Sequence, residues 1–144
     1  MIDFQGKKPK LLVVGDLMID HYLWGSCERI SPEAPVQVVN VDSESMVLGG
    51  AGNVVNNLKK LGAQVDVISV SGNCEISNEL RSLLSDIEVD TKYLITQKNR
   101  ASSKKSRIIV SQQQVVRFDR ESTDDINLDS QNTIIETFNN IVKD

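Results

Sequence analysis

The segment Gly49-Gly50-Ala51-Gly52-Asn53 places three glycines and an asparagine directly ahead of the amphipathic pattern Val54, Val55, Leu58, Leu61, which stops at Gly62. Glycines remove the side chains that hold a ligand away from the backbone, and a helix start offers unpaired N–H groups with partial positive charge. A polar or anionic small molecule suits such a segment. The same residues also suit a tight turn in which glycine only supplies positive φ ahead of a helix capped by Asn53. Asp16 and Asp20 follow an apolar run at the position where open α/β sheets bind ligands. Two carboxylates there accept hydrogen bonds from a polyhydroxylated molecule, or else cap local turns. Further along, period-two alternation puts Lys105 and Arg107 on one strand face, with Arg117 opposite them on the neighbouring strand. Like charges side by side repel unless an anion relieves them, and a phosphate monoester brings a charge of about −2 with several acceptor oxygens. A solvated edge strand carrying cations against aggregation has the same composition. Glu33, Asp119 and Glu121 are acids able to neutralise it.

Two nucleotide loops are excluded by spacing. A dinucleotide fingerprint counted from Gly50 meets Val55 where its third glycine belongs, and the only Gly-Lys pair, Gly6-Lys7, is followed by Lys8 rather than Ser or Thr. Cys27 and Cys74 are far apart and lack Cys-x-x-Cys spacing, so neither a disulfide framework nor a zinc site is indicated. His21 is the sole histidine, which excludes a His-rich metal cluster and points to a partly exposed structural role. The 144 residues carry a net charge of −4 and a pI near 5.0, against a general nucleic-acid surface. Apolar residues at 40% and charged residues at 25% are those of a globular chain. No signal-peptide core or membrane-length apolar run occurs, so a cytoplasmic protein without membrane attachment is expected.

These residues need a scaffold. Lys10 to Gly15 reads as a strand buried in a parallel sheet, Asn53 to Leu61 as a helix, and Val65 to Val70 as a second strand. Ile76, Leu80, Leu83 and Leu84 then give another helix, a short strand lies near Tyr93 to Ile95, and Ile134 to Val142 forms a last helix capped by Asp129 or Ser130. That alternation is the α/β rhythm. Two segments interrupt it. His21 to Trp24 with Val36 to Val41 flank a stretch holding two prolines, and Lys105 to Val110 with Val115 to Asp119 flank a turn at Gln112 to Gln114. The expected architecture is a parallel sheet with flanking helices plus a small antiparallel β lid formed by two inserts, at about 20–42 and 100–120.

In this order the pieces resemble the ribokinase-like carbohydrate kinases, and more narrowly their heptose 7-phosphate kinases. The resemblance rests on Val14-Gly15-Asp16-Leu17-Met18-Ile19-Asp20, Arg29-Ile30-Ser31-Pro32-Glu33-Ala34-Pro35-Val36 and Gly49-Gly50-Ala51-Gly52-Asn53-Val54. Lys105-Ser106-Arg107 and Gln113-Gln114-Val115-Val116-Arg117-Phe118-Asp119 extend it through the second insert. It implies ATP- and Mg²⁺-dependent phosphorylation of D-glycero-β-D-manno-heptose 7-phosphate at its anomeric position, on the route to ADP-heptose. By that similarity Asp20 and Asn53 hold sugar hydroxyls, Gly49 and Gly50 present backbone to the ring, and Asp16 and Glu33 assist. Lys105, Arg107 and Arg117 gather the 7-phosphate, with Gln113 nearby, and the lid implies a homodimer.

Gly50-Ala51-Gly52-Asn53 also looks like the Gly-Ala-Gly-Asp segment that carries the catalytic base in such kinases, yet Asn53 cannot take a proton. No catalytic residue is therefore assigned in this chain. The expectation is that residues 1–144 are the N-terminal, acceptor-binding part of a kinase domain, inactive alone, with the nucleotide site in a half outside them. A free-standing sugar-phosphate-binding module and a dimerising regulatory module are the competing readings.

Overall fold

Lys-Leu-Leu-Val-Val forms β1 (Lys10–Val14), and Gln64–Gly72 forms β4, whose Val65, Val67 and Ile68 are buried. They pair in parallel from Lys10↔Gln64 to Val14↔Ile68, and β4 pairs in parallel with β5 (Leu94–Gln97). The three-stranded order is β1-β4-β5. The computed structural model describes residues 8–143, so the Gly6-Lys7 pair lies outside the described residues.

Helix α1 (Ala51–Lys60) and helix α2 (Glu75–Asp86) turn Val55, Ile76, Leu80 and Leu84 into the core against β4 and against Leu17 and Ile19. Burial of such side chains stabilises the body by roughly 1.5–3 kcal/mol each. Helix α3 (Leu128–Val142) packs on β4 and β5 but leaves Leu128, Ile135, Phe138 and Val142 exposed. On β1, an edge strand among the described residues, Leu11 and Val14 are exposed as well. No helix among the described residues is long and apolar enough to cross a membrane.

Strands β2 (Leu17–Ile30), β3 (Gln37–Gly50), β6 (Ser103–Val110) and β7 (Gln113–Arg120) make the second sheet, ordered β3-β2-β6-β7. Three corrections follow. The first insert is a single long hairpin, in which Arg29 and Ile30 still pair with β3 and Ser31 to Val36 form the tip rather than interrupting a sheet. Its two 14-residue strands continue into the body, because Leu17, Ile19 and Leu48 alternate with outward residues and are buried there. The lid sheet is mixed rather than antiparallel throughout, since β2 and β6 run in parallel from Met18↔Ser103 to Gly25↔Val110. And Gly49 and Gly50 end a strand instead of forming an open loop.

The helix starts also differ from expectation. Gly50, not Asn53, is the N-cap of α1, and Asn53 is an exposed residue inside its first turn. For α3 the cap is Asn127, whose side chain accepts from the Ser130 N–H, in place of Asp129 or Ser130. Between β6 and β7 the turn residues are Ser111 and Gln112, both at positive φ (48° and 65°), a pair that matches the twist of a two-residue hairpin. Gln113 therefore belongs to strand β7, opposite Val110.

Candidate functional site

Period-two alternation along β2 divides its side chains between two environments. Leu17, Ile19 and His21 face inward and are buried, whereas Asp20 and Tyr22 lie on the opposite, more open face. Asp20 pairs in register with Lys105, and Tyr22 with Arg107, so the acidic strand and the basic strand present their charges side by side. On the far side Lys105 lies opposite Asp119 and Arg107 opposite Arg117.

An ion-pair network results. Arg107 Nη1 donates to Asp20 Oδ1 at 2.6 Å, and its guanidinium stands 5.3 Å from the Tyr22 ring centre. Lys105 Nζ lies 3.0 Å from Glu121 Oε2 and 3.3 Å from Asp119 Oδ2, while Arg117 Nε is 3.2 Å from Asp119 Oδ1. The Asp20 hydrogen bond pushes the Arg107 guanidinium above its ordinary value, and Glu121, followed by Asp119, does the same for the Lys105 ammonium against an opposing effect of burial. A raised lysine value means that the pairing is fully present below the ordinary 10.5 and is lost only as pH climbs past the raised value.

The glycines are explained by what lies beside them. The Asp20 carboxylate occupies the place where a Gly49 Cβ would stand, with Met18 Cγ 2.9 Å from that point. Gly50 has φ 57°, and a Cβ there would come within 2.6 Å of the Asp16 carbonyl oxygen. The same carbonyl accepts from the Ala51 N–H at 2.9 Å, which ties the start of α1 to the end of β1. Asp16 thus contributes its backbone to the scaffold, and its exposed side chain lines a cavity of about 420 Å³ together with Lys105, Glu121, Ser103, Arg100 and Asp124. That cavity opens past β1 and beside Val70 of β4, at the carboxyl end of the parallel sheet.

Of the ten residues singled out in the sequence, Asp20, Lys105, Arg107 and Arg117 join the ion-pair network, Gly49 and Gly50 lie against Asp20, Met18 and the Asp16 carbonyl, and Asp16 and Lys105 line the cavity. Asn53 stands on the adjoining first turn of α1. Glu33 and Gln113 do not join them within one chain. Glu33 is on the hairpin tip beyond Ile30, ten residues along β2 from Asp20 or roughly 33 Å at a strand's rise. Gln113 lies opposite Val110, three residues beyond Arg107, or roughly 10 Å. Asp119 and Glu121 are the acids that neutralise the cluster. Sequence reasoning missed Ser103, Arg100 and Asp124, which line the cavity where the chain enters β6 and after it leaves β7 and carry no local pattern.

It also placed His21 as partly exposed, whereas the ring is buried. Nδ1 is 3.1 Å from Ser106 Oγ and Nε2 is 2.9 Å from Glu44 Oε2, so one imidazole joins three strands of the lid. The alternation Leu17, Ile19, His21 was the signal that it points inward.

Sheet order, the inserted lid and this polar site define a carbohydrate-kinase architecture, and the model of the pfkB family of carbohydrate kinases matches residues 8–142. The chain belongs to that family. It is 64% identical over 137 residues to the bifunctional protein HldE of Aliarcobacter butzleri (strain RM4018), covering 95% of this chain and 29% of that protein. With the bifunctional protein HldE of Sulfurimonas denitrificans it shares 54% over 136 residues, 94% of this chain and 28% of the relative. The chain thus spans less than a third of the length of these curated relatives. In fold it is similar to the ribokinase of Arabidopsis thaliana complexed with ribose and ATP, with TM-score 0.59 and 17% identity over 81% of this chain and 36% of that one. The nucleoside kinase of Methanocaldococcus jannaschii gives TM-score 0.57 and 20% identity over 80% and 38%.

Among the described residues no group of three or more His, Cys, Asp or Glu lies together as a metal site. No chemical step is assigned to ATP or Mg²⁺ on these residues.

Proposed function

We propose that this chain is the acceptor-binding part of a heptose 7-phosphate kinase, which transfers phosphate from ATP to the anomeric position of D-glycero-β-D-manno-heptose 7-phosphate. The observation that carries the reading is the convergence of Lys105, Arg107 and Arg117 with Asp20 on one lid face, next to Gly49 and the start of α1. Three cations suit a phosphate monoester through charge-assisted hydrogen bonds, and a carboxylate lodged against a glycine suits a sugar hydroxyl. The similarity to HldE proteins supports a heptose as that sugar. Asp16 and Asn53 flank the ring in this reading, and Glu33 and Gln113 enter only from beyond the single chain. The groups that hold ATP and Mg²⁺, with the catalytic base, are assigned to sequence outside residues 1–144, because Asn53 cannot serve as that base.

Phosphoryl transfer is mainly positioning and charge stabilisation around the nucleotide. Residues 1–144 alone are accordingly expected to bind heptose 7-phosphate without turning it over, whereas the intact protein phosphorylates it in preference to hexose 6-phosphates and to ribose. A coupled ADP-release assay across that substrate panel checks both statements. Preference for ribose, or turnover by residues 1–144, would sink the respective claim.

A second reading coexists with the first. Both edges of the lid sheet carry exposed apolar residues, Val41, Met46 and Val47 on β3 and Val115, Val116 and Phe118 on β7. Unpaired edges of this kind favour association, and we assign them to a homodimer formed through the lid. Equilibrium sedimentation is expected to give a dimer that Phe118→Lys shifts toward monomer. A monomeric parent would remove this reading.

A further inference from the structure

Each cation of the lid cluster already has a carboxylate partner. Lys105, Arg107 and Arg117 stand against Asp20, Asp119 and Glu121, so the charges balance. Asp119 bridges Lys105 and Arg117 with one oxygen toward each, at 3.3 and 3.2 Å, which is the way a phosphate spans two cations. A phosphate monoester of charge about −2 entering this balanced cluster finds no net attraction, and must compete with the carboxylates for the cations, unless carboxylates leave it. Asp119 sits on the edge strand β7, and a change of rotamer turns its carboxylate toward solvent without disturbing the sheet.

We propose that the cluster is an anion site closed by its own side chains: Asp119 occupies Lys105 and Arg117, and Asp20 occupies Arg107, until a phosphate displaces both. The proposal rests on the sugar-phosphate reading and adds specificity to it. While Arg107 holds Asp20 Oδ1 and offsets its charge, only Oδ2, the oxygen beside Gly49, is left to a sugar hydroxyl, and it accepts less strongly than that of an unpaired carboxylate. A phosphate that takes Arg107 releases Asp20 beside Gly49, where the hydroxyls arrive. Phosphate and sugar recognition are thereby coupled, and an unphosphorylated sugar is rejected because nothing unlocks Asp20.

The test uses the intact protein, with calorimetric titration of heptose 7-phosphate and of the unphosphorylated heptose. Asp119→Asn, which keeps the shape and removes the competing charge, is expected to bind heptose 7-phosphate roughly fivefold more tightly, the equivalent of about one exposed ion pair. Arg107→Gln is expected to weaken heptose 7-phosphate and yet to bind the unphosphorylated heptose more tightly than the parent does, so that selectivity collapses from both sides. A merely structural or additive role for Arg107 leaves the unphosphorylated sugar unchanged or weaker. Asp119→Ser repeats the first arm should the asparagine variant melt early. Unchanged or weaker phosphate affinity in the Asp119 variants, or an unimproved unphosphorylated sugar in Arg107→Gln, overturns the closure. If the parent does not bind heptose 7-phosphate, or binds it equally well without Lys105 and Arg107, the sugar-phosphate reading falls and takes the closure with it.

Discussion

Replacing Lys105 and Arg107 together by alanine in the intact protein is expected to lower heptose 7-phosphate affinity by at least about a hundredfold while the fold survives. Hydrogen bonds to charged groups contribute roughly 1.5–3 kcal/mol each, and about 1.4 kcal/mol is tenfold in affinity. Losing two such donors therefore removes about 3 kcal/mol or more. The true loss is larger than this minimum, because Asp20, Asp119 and Glu121 then remain together without Lys105 and Arg107, and a bound phosphate must approach them. Stability should change far less. Both side chains lie on the outward face of the lid and are about a fifth exposed, and pairs of this kind contribute on the order of 1 kcal/mol or less. A calorimetric titration beside a thermal melt checks both halves of the expectation. Undiminished affinity would remove the phosphate assignment.

The second large effect is on stability, and it comes from Gly50→Ala. At φ 57° an L-residue is strained, and the added Cβ would stand 2.6 Å from the Asp16 carbonyl oxygen, a backbone atom that cannot swing aside. Backbone strain of this kind costs about 1–3 kcal/mol and overpacking a similar amount. The sum of about 2–6 kcal/mol corresponds to a fall in Tm of roughly 6–24 °C for a chain of this size. The same carbonyl accepts from Ala51 N–H, so relief by moving Asp16 breaks the link between β1 and α1. A melting temperature within a degree or two of the parent would show that the turn can relax and that this account of the glycine is wrong.

Much of the scaffold was legible because it is written in short-range periodicity. The run Lys10 to Val14, the buried alternation in β4, the helical spacing of Ile76, Leu80 and Leu84, and the basic face of β6 all follow from patterns spanning a few residues. The candidate site was legible to the same extent, as charged residues on strand faces and glycines before a helix. Pairing between distant segments was not. Nothing local tells Asp20 that it will lie beside Lys105, since the β2–β6 seam is decided by how the whole chain folds back. The cap of α1 was misplaced because Asn53 is a good capping residue by type, whereas the Gly50 backbone conformation depends on the Asp16 carbonyl next to it. Asp129 and Ser130 drew the cap of α3 away from Asn127 for a related reason, as three capping candidates compete within four residues. Burial on the interior strand β2 misled too, because His21 looks polar and surface-bound until Ser106 and Glu44 are seen to enclose it.

The parallel seam between β2 and β6 has a kinetic consequence. Its members are far apart in sequence, with His21 and Ser106 separated by 85 positions, so the seam closes a long chain loop before any of its hydrogen bonds repay that entropy. The β2–β3 hairpin, by contrast, is local and forms early. During synthesis it emerges well ahead of β6, and until β6 docks the stretch of β2 that it covers, Met18 to Gly25, is a bare edge. The nascent chain therefore passes through an interval in which another copy's strand can take the place reserved for β6, and slow translation or crowding of nascent chains lengthens the exposure of that edge.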